Sequence, residues 1–358
     1  MQFESIKTWL PSINEPLIIS GPCGAESLEQ LLKTAEQLKE INKVSLFRAG
    51  VWKPRTRPNS FEGKGEEALQ WLTEVKKQFG FKITVEVANA QHTEMALKYG
   101  VDVLWIGART TANPFSVQEI ADALKGIDVP VMIKNPIHAD LQLWIGAIER
   151  IYNSGISKIA AIHRGFHYYG KTKYRNKPFW QIPIELRTLF PDLPIICDSS
   201  HISGNKELIP SVSQKALDLG MNGLMIETHY NPDLALSDAS QQYTPSQLNQ
   251  LISKLVLRNQ LSEDELITNK LSDFRKIIDE IDDELLNVLK KRMQIIEKIA
   301  MHKKEQNISI FQLGRWQEIL RTRVQWADKI GVSRQHIEKI CILLHEESIR
   351  LQNKLMNE

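Results

Sequence analysis

From residue 17 to about 257, short apolar runs alternate with amphipathic stretches, and the alternation occurs eight times. The runs are LIIS (17–20), VSLFRA (44–49), KITVEV (82–87), VLWIG (103–107), PVMIK (130–134), KIAAI (158–162), PIICD (194–198) and GLMIE (223–227). Between them, stretches such as 28–40, 66–78, 116–125 and 140–152 carry apolar residues at helical spacing. Eight strand–helix units in this length predict an α/β chain closed into a (β/α)8 barrel. An open doubly wound sheet is the alternative. No glycine-rich nucleotide fingerprint follows the first run, which argues against it.

The rhythm changes near residue 262. Strand-like runs stop, and 270–305 contains neither Pro nor Gly. Its apolar positions 274, 277, 278, 281, 285, 288, 289, 296 and 299 predict one long helix. Two more helices are expected near 315–330 and 333–355. The chain therefore divides into a barrel over 1–261, a polar linker over 262–269 and an all-α domain over 270–358. A helix of about 35 residues is roughly 52 Å long, more than a small helical domain covers by itself. Its apolar stripe predicts a homodimer formed through this domain.

Composition narrows the partners. With 45 Lys and Arg against 43 Asp and Glu, the 358 residues carry a formal charge of +2, and no aromatic-interleaved basic patch is evident. Nucleic acid is not an expected partner. No apolar run is long enough to span a bilayer, and the N-terminus does not read as a signal peptide. The three cysteines, Cys23, Cys197 and Cys341, are odd in number and far apart, which fits a reducing cytoplasm. A small molecule is the default ligand.

Barrel chemistry sits at the C-terminal ends of the strands. Those ends carry Cys23 and Glu26, then Arg48, Lys53, Arg55 and Thr56, then Arg109, Lys134 and Arg164. Asp198, Ser199, Ser200 and His201 follow, and finally Glu227, His229 and Asp238. Six of these are cations: Arg48, Lys53, Arg55, Arg109, Lys134 and Arg164. Arg forks onto phosphate and carboxylate, and Lys adds a point charge, so the set reads as a site for two phosphates and a carboxylate. Cys23, His201, Glu227 and Asp238 form a second subset. A thiolate, an imidazole and two carboxylates suit Mn2+, Fe2+, Co2+ or Zn2+. Each residue alone has an ordinary structural explanation. Their shared position on one barrel face favours the metal reading.

In order along the chain, GPCGAES, RAGVWKPRTRPNSFEGKG, IGAR, the Lys of PVMIK, HRG, DSSH and GLMIETHYNPDLALSDASQQ resemble 3-deoxy-D-arabino-heptulosonate 7-phosphate (DAHP) synthase of the short-barrel type. The resemblance covers roughly 1–260. A sister family makes an eight-carbon octulosonate phosphate but typically lacks the KPRT that stands here at 53–56. The resemblance implies condensation of phosphoenolpyruvate with erythrose 4-phosphate to DAHP and phosphate, in the shikimate route to aromatic amino acids. It implies metal ligands Cys23, His201, Glu227 and Asp238, with Mn2+ placed ahead of Fe2+, Co2+ and Zn2+. Phosphoenolpyruvate would bind Lys53, Arg109, Lys134 and Arg164, with Arg48 close by, and the sugar phosphate would bind Arg55 and Thr56. Lys53 and His201 are the candidate proton donors. TTANPF at 110–115 and His163 before Arg164 depart from the family pattern.

The tail carries placed cations too. Arg292 and Lys303 are eleven residues apart, on one helix face and roughly 16 Å from each other. Arg275 lies on a different face and would reach the same ligand only from a second chain. Ser348 and Gln352 share a face of the last helix. The stretch FRKIIDEIDDELLNVLKKR and these positions resemble the all-helical chorismate mutase family across about 270–355. The resemblance implies rearrangement of chorismate to prephenate. Arg275 of the partner, Arg292 and Arg315 would bind carboxylates. Lys303 and Gln352 would bond the ether oxygen, and Ser348 would contact the ring hydroxyl or carboxylate region. Trp316 stands where many members carry Glu. The expected protein is a bifunctional cytoplasmic enzyme whose tail also conveys feedback inhibition by prephenate. The alternative is a tail that binds ligand and regulates without catalysis.

Overall fold

The computed structural model describes residues 1–11, 15–54, 60–258 and 265–357, with side chains of the last stretch from 270 onward. Contacts separate two compact units, Met1–Gln260 and Leu261–Glu358.

In the first unit eight parallel strands close in chain order: β1 (Leu17–Gly21), β2 (Leu46–Ala49), β3 (Lys82–Val87), β4 (Val103–Ile106), β5 (Val131–Lys134), β6 (Ile159–His163), β7 (Ile195–Asp198) and β8 (Gly223–Glu227). β8 pairs back onto β1, from Leu17 opposite Gly223 to Gly21 opposite Glu227. The sheet has no open ends, so the doubly wound alternative is excluded. Helices such as Leu28–Ile41, Glu66–Phe79 and Leu141–Asn153 cover the outside. Ser27, Asn89 and Asp140 cap three of the barrel helices through backbone N–H groups three residues ahead. The helix expected over 116–125 starts earlier, at Pro114, because Asn113 caps it and proline is pre-set for its first turn.

Strand alternation sorts the core into two layers. Ile18, Phe47, Ile83, Leu104 and Ile133 face the helices. Leu17, Ile19, Leu46, Trp105, Met132, Ile196 and Met225 fill the lumen, joined by Ile6, Trp9 and Leu10. The last three come from and follow a short N-terminal helix, Ile6–Trp9, which plugs the lower mouth. Two residues further along their strands, the inward positions turn charged: Leu46 gives way to Arg48, Met132 to Lys134, Ile196 to Asp198 and Met225 to Glu227. Gly21 is required where β1 meets this layer. Its φ is +145°, and a Cβ there would stand 2.1 Å from the Arg48 carbonyl oxygen.

The second unit has three helices, Glu265–Glu305, Leu313–Lys329 and Arg334–Asn357. The long helix begins at Glu265, so part of the stretch read as linker is already helical; at 41 residues it is roughly 62 Å long. Lys303, Ala327, Cys341, Ser348 and Gln352 are buried. Phe274, Ile277, Ile278, Ile281, Leu285 and Val288 are each more than 50% exposed within the single chain. No described helix is long and apolar enough to cross a membrane.

Ile196 is fully buried in the lumen beneath the charged layer. Ile196→Ala is expected to destabilise the barrel by about 2–5 kcal/mol, read as a lower urea midpoint with an unchanged slope.

Candidate active sites

The charged layer at the top of the barrel assembles the first site. Cys23 follows β1, and its backbone is locked to the exit of β2 by Gly50 N donating to Cys23 O (3.2 Å) and Ala25 N donating to Gly50 O (2.9 Å). A Cβ on Gly50 would sit 2.3 Å from the Cys23 carbonyl, so only glycine permits this approach. Asp238 lies after β8 in left-handed backbone, φ 54°, a conformation Asp tolerates better than most residues. There its Oδ2 accepts from the Cys23 thiol at 3.3 Å. The ligating atoms of Cys23, Glu227 and Asp238 all lie within 4.8 Å of one another.

His201 comes close but does not belong to that group among the described residues. Its Nε2 is 3.8 Å from Glu227 Oε1. Asp198 ends β7 and caps the helix Ser199–Ser203, accepting from His201 N at 3.1 Å and lying 2.9 Å from His201 Nδ1. The carboxylate thus favours a proton on Nδ1 and leaves the Nε2 lone pair turned toward Glu227. Glu227 Oε1 is buried and accepts no hydrogen bond among the described residues, though Arg48 Nη2 is 3.1 Å away. An orphaned carboxylate oxygen beside a thiol, a second carboxylate and an imidazole fits a divalent cation.

Five of the six expected cations are described, and they lie at or after the strand ends at the same rim. Lys53 Nζ donates to the Cys23 sulfur (2.7 Å) and carbonyl (2.8 Å). Lys134 pairs with Asp198 Oδ2 at 2.9 Å, and both Lys134 and Arg48 lie against the face of Trp105. Two of the six cations are therefore neutralised by the site's own carboxylates, so the crowd is less repulsive than its sequence suggests. Arg109 lies in the short helix after β4 and is exposed. Arg164 follows β6 and donates to Asn176 Oδ1 at 2.8 Å. Arg55 and Thr56 lie outside the described residues.

Burial, reinforced by Glu227, pushes the Cys23 thiol up to about 12. Burial also holds His201 below the usual imidazole value, against the pull of Asp198 and Glu227. It opposes ionisation of Asp198 as well, but His201 and Lys134 keep that carboxyl well below the usual range. Glu227 is lowered against burial by His201 and Arg48, and Asp238 by Arg175 and His201. Burial, aided by Arg175 and Arg109 against Asp198, pushes Arg164 down to about 10.

Strand-end reasoning missed three residues. Arg175 Nη1 donates to Asp238 Oδ1 (2.9 Å) and Gln241 Oε1 (2.7 Å), and Gln241 Nε2 donates to Glu227 Oε2 (2.6 Å). Asn176 Nδ2 donates to the His201 carbonyl (2.6 Å). Arg175 and Asn176 lie eleven and twelve residues past Arg164, in a loop that strand-end position does not flag. Gln241 stood in plain view within SDASQQ. His163, by contrast, faces outward against Phe166 and Trp180, and burial pushes its imidazole down to about 3. It is a packing residue.

In the helical unit, Arg292 Nη1 donates to Ser348 Oγ at 2.8 Å, joining the long and last helices. Lys303 is buried and donates to Ile310 O (2.6 Å). Gln352 Nε2 donates to Ser348 O (3.1 Å), while its buried Oε1 accepts nothing among the described residues. Arg315 pairs with Glu318 at 2.7 Å and, with Arg292, lines a cavity of about 310 Å3. Lys303, Ser348 and Gln352 stand outside that lining. Arg275 is exposed in the N-terminal half of the long helix.

Two family profiles match the chain: the DAHP synthetase I family over residues 12–263 and chorismate mutase type II over 274–353. A phospho-2-dehydro-3-deoxyheptonate aldolase from Thermotoga maritima is 31% identical over 238 residues, covering 66% of this chain and 68% of that one. A 2-dehydro-3-deoxyphosphooctonate aldolase from Helicobacter hepaticus is 27% identical over 263 residues, 67% of this chain and 95% of the relative. The crystal structure of Thermotoga maritima DAHP synthase superposes with a TM-score of 0.60 at 28% identity, covering 69% of this chain and 73% of that one. A truncated form of that enzyme gives the same score over 71% and 91%. The barrel, its charged rim and these matches agree: the chain belongs to the DAHP synthetase I family and carries a type II chorismate mutase domain C-terminal to its barrel in sequence.

Proposed function

We propose that the barrel condenses phosphoenolpyruvate with erythrose 4-phosphate and that the helical unit converts chorismate to prephenate. The observation that carries the first reading is the convergence of Cys23, Glu227 and Asp238 within 4.8 Å beneath a cationic rim. Cys23, Glu227, Asp238 and His201 would hold a divalent ion, which when bound polarises the aldehyde carbonyl. Lys134, Arg164 and Arg109, with Lys53, bind the phosphate and carboxylate of phosphoenolpyruvate and align its methylene carbon with the aldehyde. Arg55 and Thr56 take the sugar phosphate. The methylene carbon forms the new C–C bond. The aldehyde oxygen takes a proton, for which Lys53 is the donor nearest the Cys23 sulfur. Water adds at the former enol carbon, and phosphate leaves by C–O cleavage. Asp198 acts by orienting His201, and Arg175 with Gln241 by orienting Asp238 and Glu227.

The mutase reaction is pericyclic and needs conformational restraint and charge stabilisation, without a nucleophile. Arg292 and Arg315 bind carboxylates, and Lys303 and Gln352 the ether oxygen. Ser348 orients Arg292. The bare stripe Phe274–Val288 supports a homodimer, in which Arg275 of the partner would complete the site. Trp316, in place of the usual Glu, favours a second reading of the tail as a ligand-binding regulator. Retained chorismate binding with no prephenate formed by the intact enzyme would establish that reading instead.

Cys23→Ala is expected to lower DAHP formation at least about a hundredfold and spare mutase turnover; Arg292→Ala is expected to do the reverse by a similar factor. Loss of both activities in either variant would reject two independent sites. Metal binding must deprotonate Cys23, whose thiol lies far above neutral pH, while His201 is already neutral and the carboxylates ionised. Each ion bound therefore releases about one proton, and affinity rises about tenfold per pH unit between pH 7 and 9. Calorimetry in buffers of different ionisation heat reads this directly. Prephenate is expected to slow DAHP formation in the full chain, because the later step of the route is fused to the earlier one. An unchanged synthase rate over a wide prephenate range refutes that coupling.

A further inference from the structure

The cavity of about 310 Å3 in the helical unit is lined by Arg292 and Arg315, by Trp316 and Trp326, and by His345, a residue the mutase chemistry above does not use. The imidazole of His345 stacks on the indole of Trp316, with centroids 4.1 Å apart and planes 12° from parallel. Its Nε2 is buried and has no hydrogen-bond partner among the described residues. An unpaired ring nitrogen in such a place is costly unless a ligand satisfies it. Burial, together with the charges of Arg292 and Lys303, holds the imidazole below its ordinary value, so the ring is neutral at pH 7 and can donate or accept.

Chorismate presents two carboxylates, an ether oxygen and a ring hydroxyl. On the mutase reading, on which this inference rests, the arginines take the carboxylates, and Lys303 and Gln352 take the ether. The hydroxyl needs its own partner. Ser348 is poorly placed to serve, because its Oγ already accepts from Arg292 Nη1 and donates to the Leu344 carbonyl. The Trp316 indole, occupied in stacking on His345, presents no carboxylate to the hydroxyl. His345 Nε2 is left as an unused polar atom of a residue that shares a cavity with both arginines.

We propose that His345 Nε2 is the hydrogen-bond partner of the substrate's ring hydroxyl, and that Trp316 positions the imidazole for this contact by stacking on it. The pair would then replace the carboxylate found at the position of Trp316 in many relatives. The neutral contact is suited to a hydroxyl and would discriminate against substrates that lack one.

The test compares chorismate with its analogue lacking the ring hydroxyl, using the full-length enzyme and two variants, His345→Phe and His345→Leu. The first variant keeps an aromatic ring for Trp316, and the second is a fallback should the first not fold. Helical circular dichroism and synthase rate report integrity. The expected result is a loss of about ten- to a hundredfold in kcat/KM for chorismate with less than a twofold change for the analogue. Binding of both compounds, followed by tryptophan fluorescence, should show the same selective loss. Equal losses on both compounds, or none on either, in a folded variant overturn the proposal and leave the mutase reading standing. A wild-type enzyme that binds chorismate without turnover removes the mutase reading, and the binding comparison still decides the role of His345. A wild-type enzyme that neither binds nor rearranges chorismate overturns both.

Discussion

The two-residue period of the barrel strands decides where charge enters this protein. Parallel strands point alternate side chains inward, so a lumen filled with Leu46, Met132, Ile196 and Met225 must place Arg48, Lys134, Asp198 and Glu227 in the next layer. A register slip of one residue in any of these strands would bury apolar groups at the rim and drive charges toward the helices. The active layer and the hydrophobic core are therefore specified together. The plug of Ile6, Trp9 and Leu10 closes the opposite mouth, leaving the charged end as the chemical one.

Placing charge in a barrel has a cost, which the ion pairs offset. Arg48 with Glu227 and Lys134 with Asp198 are almost entirely shielded from water. Removing one partner from such a pair typically destabilises by about 3–5 kcal/mol, because the other is left buried and uncompensated. The same pairs keep the carboxylates ionised: Asp198 stays charged against burial because His201 and Lys134 face it. That ionised carboxylate in turn orients the His201 imidazole. Pairing that stabilises the layer thus also poises it for a cation and for anionic substrates.

The helical unit solves a different problem. Its cations sit on long helices rather than at strand ends, and they are brought together by helix packing. Arg292 crosses to Ser348, Lys303 is buried, and Arg315 reaches the shared cavity from the middle helix. Phe274, Ile277, Ile278, Ile281, Leu285 and Val288 of its long helix stay more than half exposed in the single chain.

Much of this was legible in the residue pattern. Short apolar runs marked eight strands and helical spacing marked three tail helices, and strand-end position singled out Cys23, Arg48, Lys53, Lys134, Arg164, His201 and Glu227. Those signals are local, because run length and helical spacing follow from backbone geometry that every residue shares. Contacts that join distant segments were not legible. Arg175 reaching Asp238, Gln241 bridging to Glu227, Asn176 linking Arg164 to His201 and Trp316 stacking on His345 each depend on loops or helices meeting in space. The sequence alone determined which elements form and which face of each carries charge, since both depend on spacing along the chain. Tertiary structure alone decided which charges neutralise one another and which polar atoms remain free for a ligand, since both depend on distances between residues far apart in sequence.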